Sequence, residues 1–240
     1  AYLLPHLAAG QRLLDVGCGP GTISVDLAAR VAPGAVVALD REAGVLTEVK
    51  RLAIERGAGN LSTASGDVYA LGFDDDSFDI VHAHQVLQHL TDPVAALAEM
   101  RRVTRPGGLV AARDADYAAM AWYPSDPRLD RWLEIYHAVA RANGAEPDAG
   151  RRLYAWARAA GFGTITPSAS TWLFADPERR TWWGETWAER TLRSGLAEQA
   201  VAIGVASRDE LEAIASGWRD WTSHPDGWFS VLHGEVLARP

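Results

Sequence analysis

The sequence predicts an α/β protein built on a doubly wound, mostly parallel sheet of seven strands, elaborated by a helical, tryptophan-rich cap. Three observations predict it. Apolar, strand-like runs alternate with helix-like stretches through the first half of the chain, the pattern of a parallel sheet covered by helices on both faces. A glycine-rich turn joins the first run to the first helix, at the sheet edge where such folds bind ligands. Seven of the ten tryptophans lie between Trp172 and Trp228, in a stretch that reads as mainly helical.

Residues 12–16 form a short apolar run closed by glycines, as a buried parallel strand should be. Ile23, Leu27 and Val31 then recur every four residues, the apolar stripe of a helix. Residues 35–39, closed by Asp40, read as the second strand, and Leu46, Val49 and Leu52 as the second helix. Residues 60–65 are a weaker third strand and residues 78–81 a fourth. Asp92 followed by Pro93 is a helix start, with an acceptor at the cap and proline in the first turn. Val94, Leu97, Met100 and Val103 continue that helix, the run Pro106-Gly107-Gly108 is expected to end it, and residues 109–112 make the fifth strand. Helices are expected at 130–143 and 150–160, a sixth strand at 164–173, continuous helix over 176–222, and a last strand at 229–232. With no repeat, low-complexity tract or flexible linker in view, the chain is expected to form a single domain.

Composition narrows the function. The 240 residues are 48% apolar, enough for one large core or a core with a small cap. Thirty-one acidic against 23 basic residues leave a formal charge of −8, and no basic stripe is present for a nucleic-acid backbone. No apolar run approaches the roughly 20 residues that span a bilayer. One cysteine cannot close an internal disulfide, which fits a cytoplasmic location. The chain opens on alanine and not methionine, so an N-terminal piece is expected to be missing from it.

The run Asp15-Val16-Gly17-Cys18-Gly19-Pro20-Gly21 is the most informative stretch. Gly17, Gly19 and Gly21 allow positive φ and leave no Cβ between backbone and ligand. Their spacing is Gly-x-Gly-x-Gly, where a dinucleotide turn reads Gly-x-Gly-x-x-Gly, and Pro20 removes one backbone donor. The Gly-Lys-Ser/Thr of a phosphate loop is missing. Asp15 would repel a pyrophosphate but suits a ligand that carries an ammonium group. Cys18 reads as a small buried filler and not as a nucleophile.

The run from Leu13 to Thr22 resembles the cofactor-binding turn of the class I S-adenosylmethionine (SAM)-dependent methyltransferases. Further segments agree in order: Val36-Val37-Ala38-Leu39-Asp40, Gly66-Asp67-Val68, Ser77-Phe78-Asp79-Ile80-Val81-His82-Ala83-His84 and Arg105-Pro106-Gly107-Gly108-Leu109. The likeness covers residues 11–113 and is strongest to the ubiquinone/menaquinone-biosynthesis and small-molecule methyltransferases. It implies a Rossmann-like methyltransferase fold, SAM as cofactor with S-adenosylhomocysteine (SAH) as product, and an enzyme that methylates an O, N or C atom of a small, hydrophobic or aromatic molecule. It further implies a cofactor-binding half over residues 1–115, with 116–240 supplying the rest of the same sheet and the substrate-cap insertions.

Residue roles implied by the resemblance follow motif by motif. Asp40 would accept from both ribose hydroxyls, a task its two oxygens suit, with Arg41 beside the adenosine. Asp67 would accept from the adenine amino group, with the Val68 backbone nearby. Gly17, Cys18 and Gly19, in one turn with Gly21, would press against the methionine portion, with Asp15 near its ammonium. His84 and Gln85, after the fourth strand, would face the methyl group.

An acceptor atom must also lose a proton, so a base is expected. His89 is the first candidate, because imidazole titrates near neutrality; a core or capping histidine is the competing reading. Asp116 and Tyr117, in the run Asp114-Ala115-Asp116-Tyr117 after the fifth strand, are the others, with loop capping as the competing reading of both aspartates. His82 and His84 share a strand face, but no cysteine or carboxylate pair completes a metal set at a usual spacing, so no metal is expected. Trp122, Trp132, Trp182, Trp183, Trp187, Trp218 and Trp221 either pack the cap or wall an aromatic pocket; both readings stay open. A SAM-binding protein without transferase activity and a nicotinamide-dependent oxidoreductase are the alternatives. The expected partner is a small-molecule methyl acceptor, with a homodimer as the assembly to look for and neither nucleic acid nor membrane.

Overall fold

The computed structural model describes residues 2–240, and the chain gathers into two compact units. One comprises residues 2–114, 150–169 and 234–240, the other residues 115–149 and 170–233. The sheet has eight strands, not the expected seven. Five run parallel in the order β3 (Leu61–Ser65), β2 (Val36–Asp40), β1 (Leu13–Val16), β4 (Phe78–His84) and β5 (Thr104–Ala115). Then comes β8 (Trp228–Arg239), which also pairs with β7 (Thr164–Phe174).

In the first unit every residue of β1 is buried, because helices cover both faces of the sheet there. Alternate residues serve opposite faces. Leu13 packs with Leu27 and Val31 of α1 (Thr22–Val31), together with Ile80 and Leu109. Leu14 and Val16 join Phe78, Val81 and Val110, with Leu97 and Met100 of α3 (Pro93–Val103) and Leu153 and Ala157 of α5 (Leu153–Ala159). Between β2 and β3 lies α2 (Ala43–Arg56). The start of α3 is as the sequence reads, with the Asp92 side chain accepting the Ala95 N–H. Its end comes earlier than expected. The helix stops at Val103 and residues 104–108 already belong to β5, since Pro106 turns the residue before it away from helical backbone.

In the second unit, α4 (Pro127–Ala142), α6 (Pro177–Arg193), α7 (Gly195–Ala202) and α8 (Arg208–Ser223) surround an aromatic core. The expected continuous helix over 176–222 is three helices. Asp176, Ser194 and Ser207 each cap a new N-terminus by accepting from Arg179, Leu196 and Glu210 N–H groups. The unexpected strand is β6 (Ala121–Tyr123), antiparallel to β8 with Ala121 opposite Ser230 and Tyr123 opposite Trp228; three residues leave too short a period to read.

The tryptophans mainly build this core. Trp132, fully buried, meets Trp187 at 4.5 Å and Trp218 at 4.9 Å between ring centroids, both edge to face. Trp183 and Trp221 are also buried, and Trp122 stacks on Phe229. The indole N–H groups of Trp132, Trp183, Trp187 and Trp218 have no hydrogen-bond partner. The edge-to-face packing offers ring faces as weak acceptors in their place. For these rings packing is the reading that holds, while Trp182 stays 58% exposed.

Candidate active site

β1 delivers the glycine turn to the carboxyl edge of the sheet. Gly17 has φ +63° and Gly21 φ +81°, values that non-glycine residues adopt only with strain. A Cβ at Gly17 would lie 2.5 Å from a Val86 methyl, and one at Gly21 2.8 Å from both Val49 methyls. The turn is tied to β2: Cys18 N–H donates to Leu39 O (3.0 Å) and Gly19 N–H to Asp40 Oδ2 (3.1 Å). Asp40 Oδ1 accepts the Glu42 N–H (3.0 Å). The turn and the end of β2 therefore hold each other in place.

A cavity of about 310 Å³ opens beside them, walled entirely by the first unit. Val16 and Gly17 form one side, Leu39, Asp40 and Arg41 another, residues 66–69 a third, and Gln85, Val86, His89 and Leu90 the last. Asp67 Oδ1 accepts the Tyr69 N–H (3.0 Å), and the Tyr69 hydroxyl accepts the Asp92 N–H (3.0 Å), which pins that ring to the start of α3. Gln85 sits in the left-handed region at φ +56° and donates its N–H to Arg113 O (2.7 Å). Strain of this kind at a non-glycine residue marks segments held for a purpose. The Gln88 amide donates to His89 Nε2 (3.1 Å).

Seven of the expected site residues thus line one cavity: Gly17, Asp40, Arg41, Asp67, Val68, Gln85 and His89. Others lie elsewhere. Asp15 is buried behind the turn, where one oxygen accepts from Ser24 Oγ and the other pairs with His82 Nδ1 at 2.7 Å. That contact follows from register, since Asp15 stands opposite His82 across β1 and β4. Cys18, Gly19, Gly21 and His84 are not on the cavity wall. Burial, with Asp15 and Asp40 beside it, pushes the Cys18 thiol up to about 12, which suits filler and not nucleophile. His84 stacks on His82, and burial together with Arg113 and His82 lowers its pKa to about 3.

Asp116 and Tyr117 belong to the second unit. Tyr117 stacks on Tyr136 at 4.0 Å within the aromatic core, and burial raises its phenol well above the usual value. Asp116 is buried, with its N–H donated to Leu232 O (2.9 Å). Neither lines the cavity described above, because the turn after β5 carries them into the second unit's own packing. Tyr69, Val86 and Leu90 line the cavity without having been expected there, and Asp114 was expected only within the run 114–117 at the sheet edge. The first three follow motif positions directly in sequence, and that adjacency was the available signal. For Asp114 the signal was its place in that run, with capping of loop backbone as the competing reading, and its carboxylate does accept the Gln88 N–H.

Gly17→Ala should weaken SAH binding at least tenfold, because the added methyl forces Val86 into the cavity and strains the turn. Calorimetric titration checks it, and Val86→Ala in the same chain should recover part of the loss.

Comparison with known proteins fixes the family. The profile of the family described as "Methyltransferase domain" matches residues 14–112. "Uncharacterized methyltransferase C1B3.06c" of Schizosaccharomyces pombe is 38% identical, over 99% of this chain and 87% of its own length. The chain belongs to the class I SAM-dependent methyltransferases. "Probable methyltransferase ltbC" of Aspergillus luteorubrus is 32% identical over 99% of this methyltransferase and 88% of its own length. Among solved structures, the YcgJ protein from Bacillus subtilis shares the fold with a TM-score of 0.64 at 18% identity, over 99% of this methyltransferase and 96% of that chain. The nicotinamide-dependent reading and the reading without transferase activity find no support.

SAM is the cofactor of the methyltransferase, and the cavity fits it. Asp40 presents a carboxylate suited to a vicinal diol, Asp67 a second acceptor, and the turn a backbone surface that a Cβ would fill. Among the described residues no helix is long and apolar enough to cross a membrane.

Proposed function

We propose that this methyltransferase methylates an O, N or C atom of a small, hydrophobic or aromatic molecule in the cytoplasm. The observation that carries the reading is the cavity beside the glycine turn, with the Asp40 carboxylate on one wall and His89 on another. Asp40 holds the ribose of the cofactor, Arg41 lies along the adenosine, and Asp67 with Val68 takes the adenine amino edge. Tyr69 adds an aromatic face for the base. Gly17, Cys18, Gly19 and Gly21 shape the turn for the methionine portion. Asp15 acts from behind, where Ser24 and His82 fix it under the turn. Gln85 faces the reacting end, while His84 at the end of β4 packs behind the wall on His82.

When bound, the cofactor supplies a methyl group already activated on a sulfonium. What remains for the protein is to hold the acceptor in line and to exclude water, and placement of this kind supplies much of the rate. His89 takes the proton that the acceptor gives up, for which the Gln88 amide must first release the Nε2 lone pair that it occupies. The charge of −8 favours a small acceptor over a nucleic acid. The likeness to the ubiquinone/menaquinone group favours a hydrophobic ring, and a second copy in a homodimer is compatible with this reading.

Methyl-labelled SAM, offered with phenols, hydroxyquinones and aromatic amines alongside tRNA and unfractionated protein, tests the proposal. Label on a small ring compound supports it; label on macromolecules alone overturns it. His89→Ala should lower kcat by roughly 10²-fold with SAH affinity within about twofold of the parent. An unchanged kcat would make His89 a packing residue.

A further inference from the structure

Two consecutive residues of β5 grip one wall of the cavity. Arg113 O accepts the Gln85 N–H at 2.7 Å, and Asp114 Oδ1 accepts the Gln88 N–H at 3.0 Å. Between and beyond these bonds lie the left-handed Gln85, then Val86 and His89, all three on the cavity wall. Asp114 is fully buried, and its Oδ2 has no hydrogen-bond partner. The Tyr2 hydroxyl, within electrostatic reach of Asp114, is likewise buried without a partner. Capping the Gln88 N–H alone calls for an acceptor and not for a charge; asparagine would serve without burying one.

We propose that Asp114 is a positioning residue for methyl transfer: as a carboxylate it draws residues 86–88 onto β5 and sets Gln85, Val86 and His89 against the cofactor, and as the neutral acid it lets that wall relax. The proposal rests on the reading of the cavity as the cofactor site. Burial raises the Asp114 carboxyl to about 7, held back by the N–H groups of residues 86–88 and by Arg113. Both states are therefore populated around neutrality. A carboxylate holds N–H donors about twice as strongly as a neutral acceptor, so the wall tightens as pH rises.

Two of the neighbouring groups, His84 and Tyr2, do not exchange protons in that window. His84, at the end of β4, stays neutral with its pKa lowered to about 3, and burial pushes the Tyr2 phenol further above its usual value. Arg113 pairs with Glu235 of β8 at 3.1 Å, and Glu235 also accepts from Ser168 Oγ. His82 is engaged by Asp15. His89, on the gripped segment itself, is controlled by His89→Ala, and His82 by His82→Gln, which should likewise keep the parental transition.

SAH affinity measured from pH 5.5 to 8.5 decides the matter. The parent should bind at least fivefold more tightly at pH 8 than at pH 6. Asp114→Asn should bind within threefold of the parent at pH 6 and show a flat profile, and His89→Ala should keep the parental transition. A transition that survives in Asp114→Asn, or disappears in His89→Ala or His82→Gln, overturns the proposal while leaving the cofactor site intact. No SAH binding by the parent at any pH would overturn the reading of the cavity, and this proposal with it.

A second readout needs no ligand. Folded Asp114 keeps a proton that the unfolded chain has released between about pH 4 and pH 7, so this group makes stability fall as pH rises through that range. The Tm of Asp114→Asn relative to the parent should therefore climb from pH 5 to pH 8. A constant difference would overturn the assignment of the transition to Asp114.

Discussion

Asp40→Ala is expected to lower SAM and SAH affinity by 10- to 100-fold. The carboxylate stands on the cavity wall while its two oxygens hold the N–H groups of Gly19 and Glu42. Removal therefore has two consequences. Hydrogen bonds to a charged group contribute about 1.5–3 kcal/mol each, and even one lost from the ribose accounts for the lower end of the range. The Gly19 N–H is released as well, which frees the glycine turn. Asp40→Asn separates the two, since its amide oxygen can still accept from Gly19 while the charge is gone. Calorimetric titration of the three proteins should rank them parent, Asn, Ala. Equal affinities would remove Asp40 from the ribose site and leave it as the tie between β2 and the turn.

Trp132→Ala should destabilise the protein by about 3–5 kcal/mol, the range for truncating a buried large aromatic side chain. Trp132 is 1% exposed and touches Trp187, Trp218, Tyr136, Tyr117 and Phe229 with its ring. Its loss opens a cavity that rigid aromatic neighbours cannot close. At roughly 2–4 °C per kcal/mol for a chain of this size, the Tm should fall by at least about 6 °C. Trp182→Ala, at a ring 58% exposed, should change stability by less than about 1 kcal/mol. Urea unfolding followed by tryptophan fluorescence measures both. A small effect at Trp132 would mean that the rings line an adaptable pocket and do not form a core.

Legibility differed along the chain for identifiable reasons. From residue 11 to residue 113 nearly every element could be read, because a strand covered on both faces is an uninterrupted apolar run and its helices carry one stripe. β1, β2, β3 and α1 came within a residue or two of their observed bounds. The later part was harder. The stretch 176–222 is rich in good helix formers, and only the capping serines and Asp176 mark where its helices break. β6 exists through its pairing with β8 and has no pattern of its own.

The site divided along the same line. Gly17, Asp40 and Asp67 line one cavity as expected, because residue type and position at a strand end are legible in the sequence. Asp116 and Tyr117 were expected on the same grounds; Tyr117 packs in the aromatic core of the second unit, and Asp116 is buried with its N–H on Leu232 O.

The sequence alone determined the α/β fold, the glycine turn with its acidic partners, and through them the cofactor, since each depends on residue identity over a few neighbouring positions. Tertiary structure decided which carboxylates meet the cavity, which lie buried behind it, and which rings pack as core. It also placed Asp114 against the Gln88 N–H, 26 positions away in the chain. Contacts of that kind are set by strand register and packing, and burial then changes the chemistry of groups that look alike in sequence.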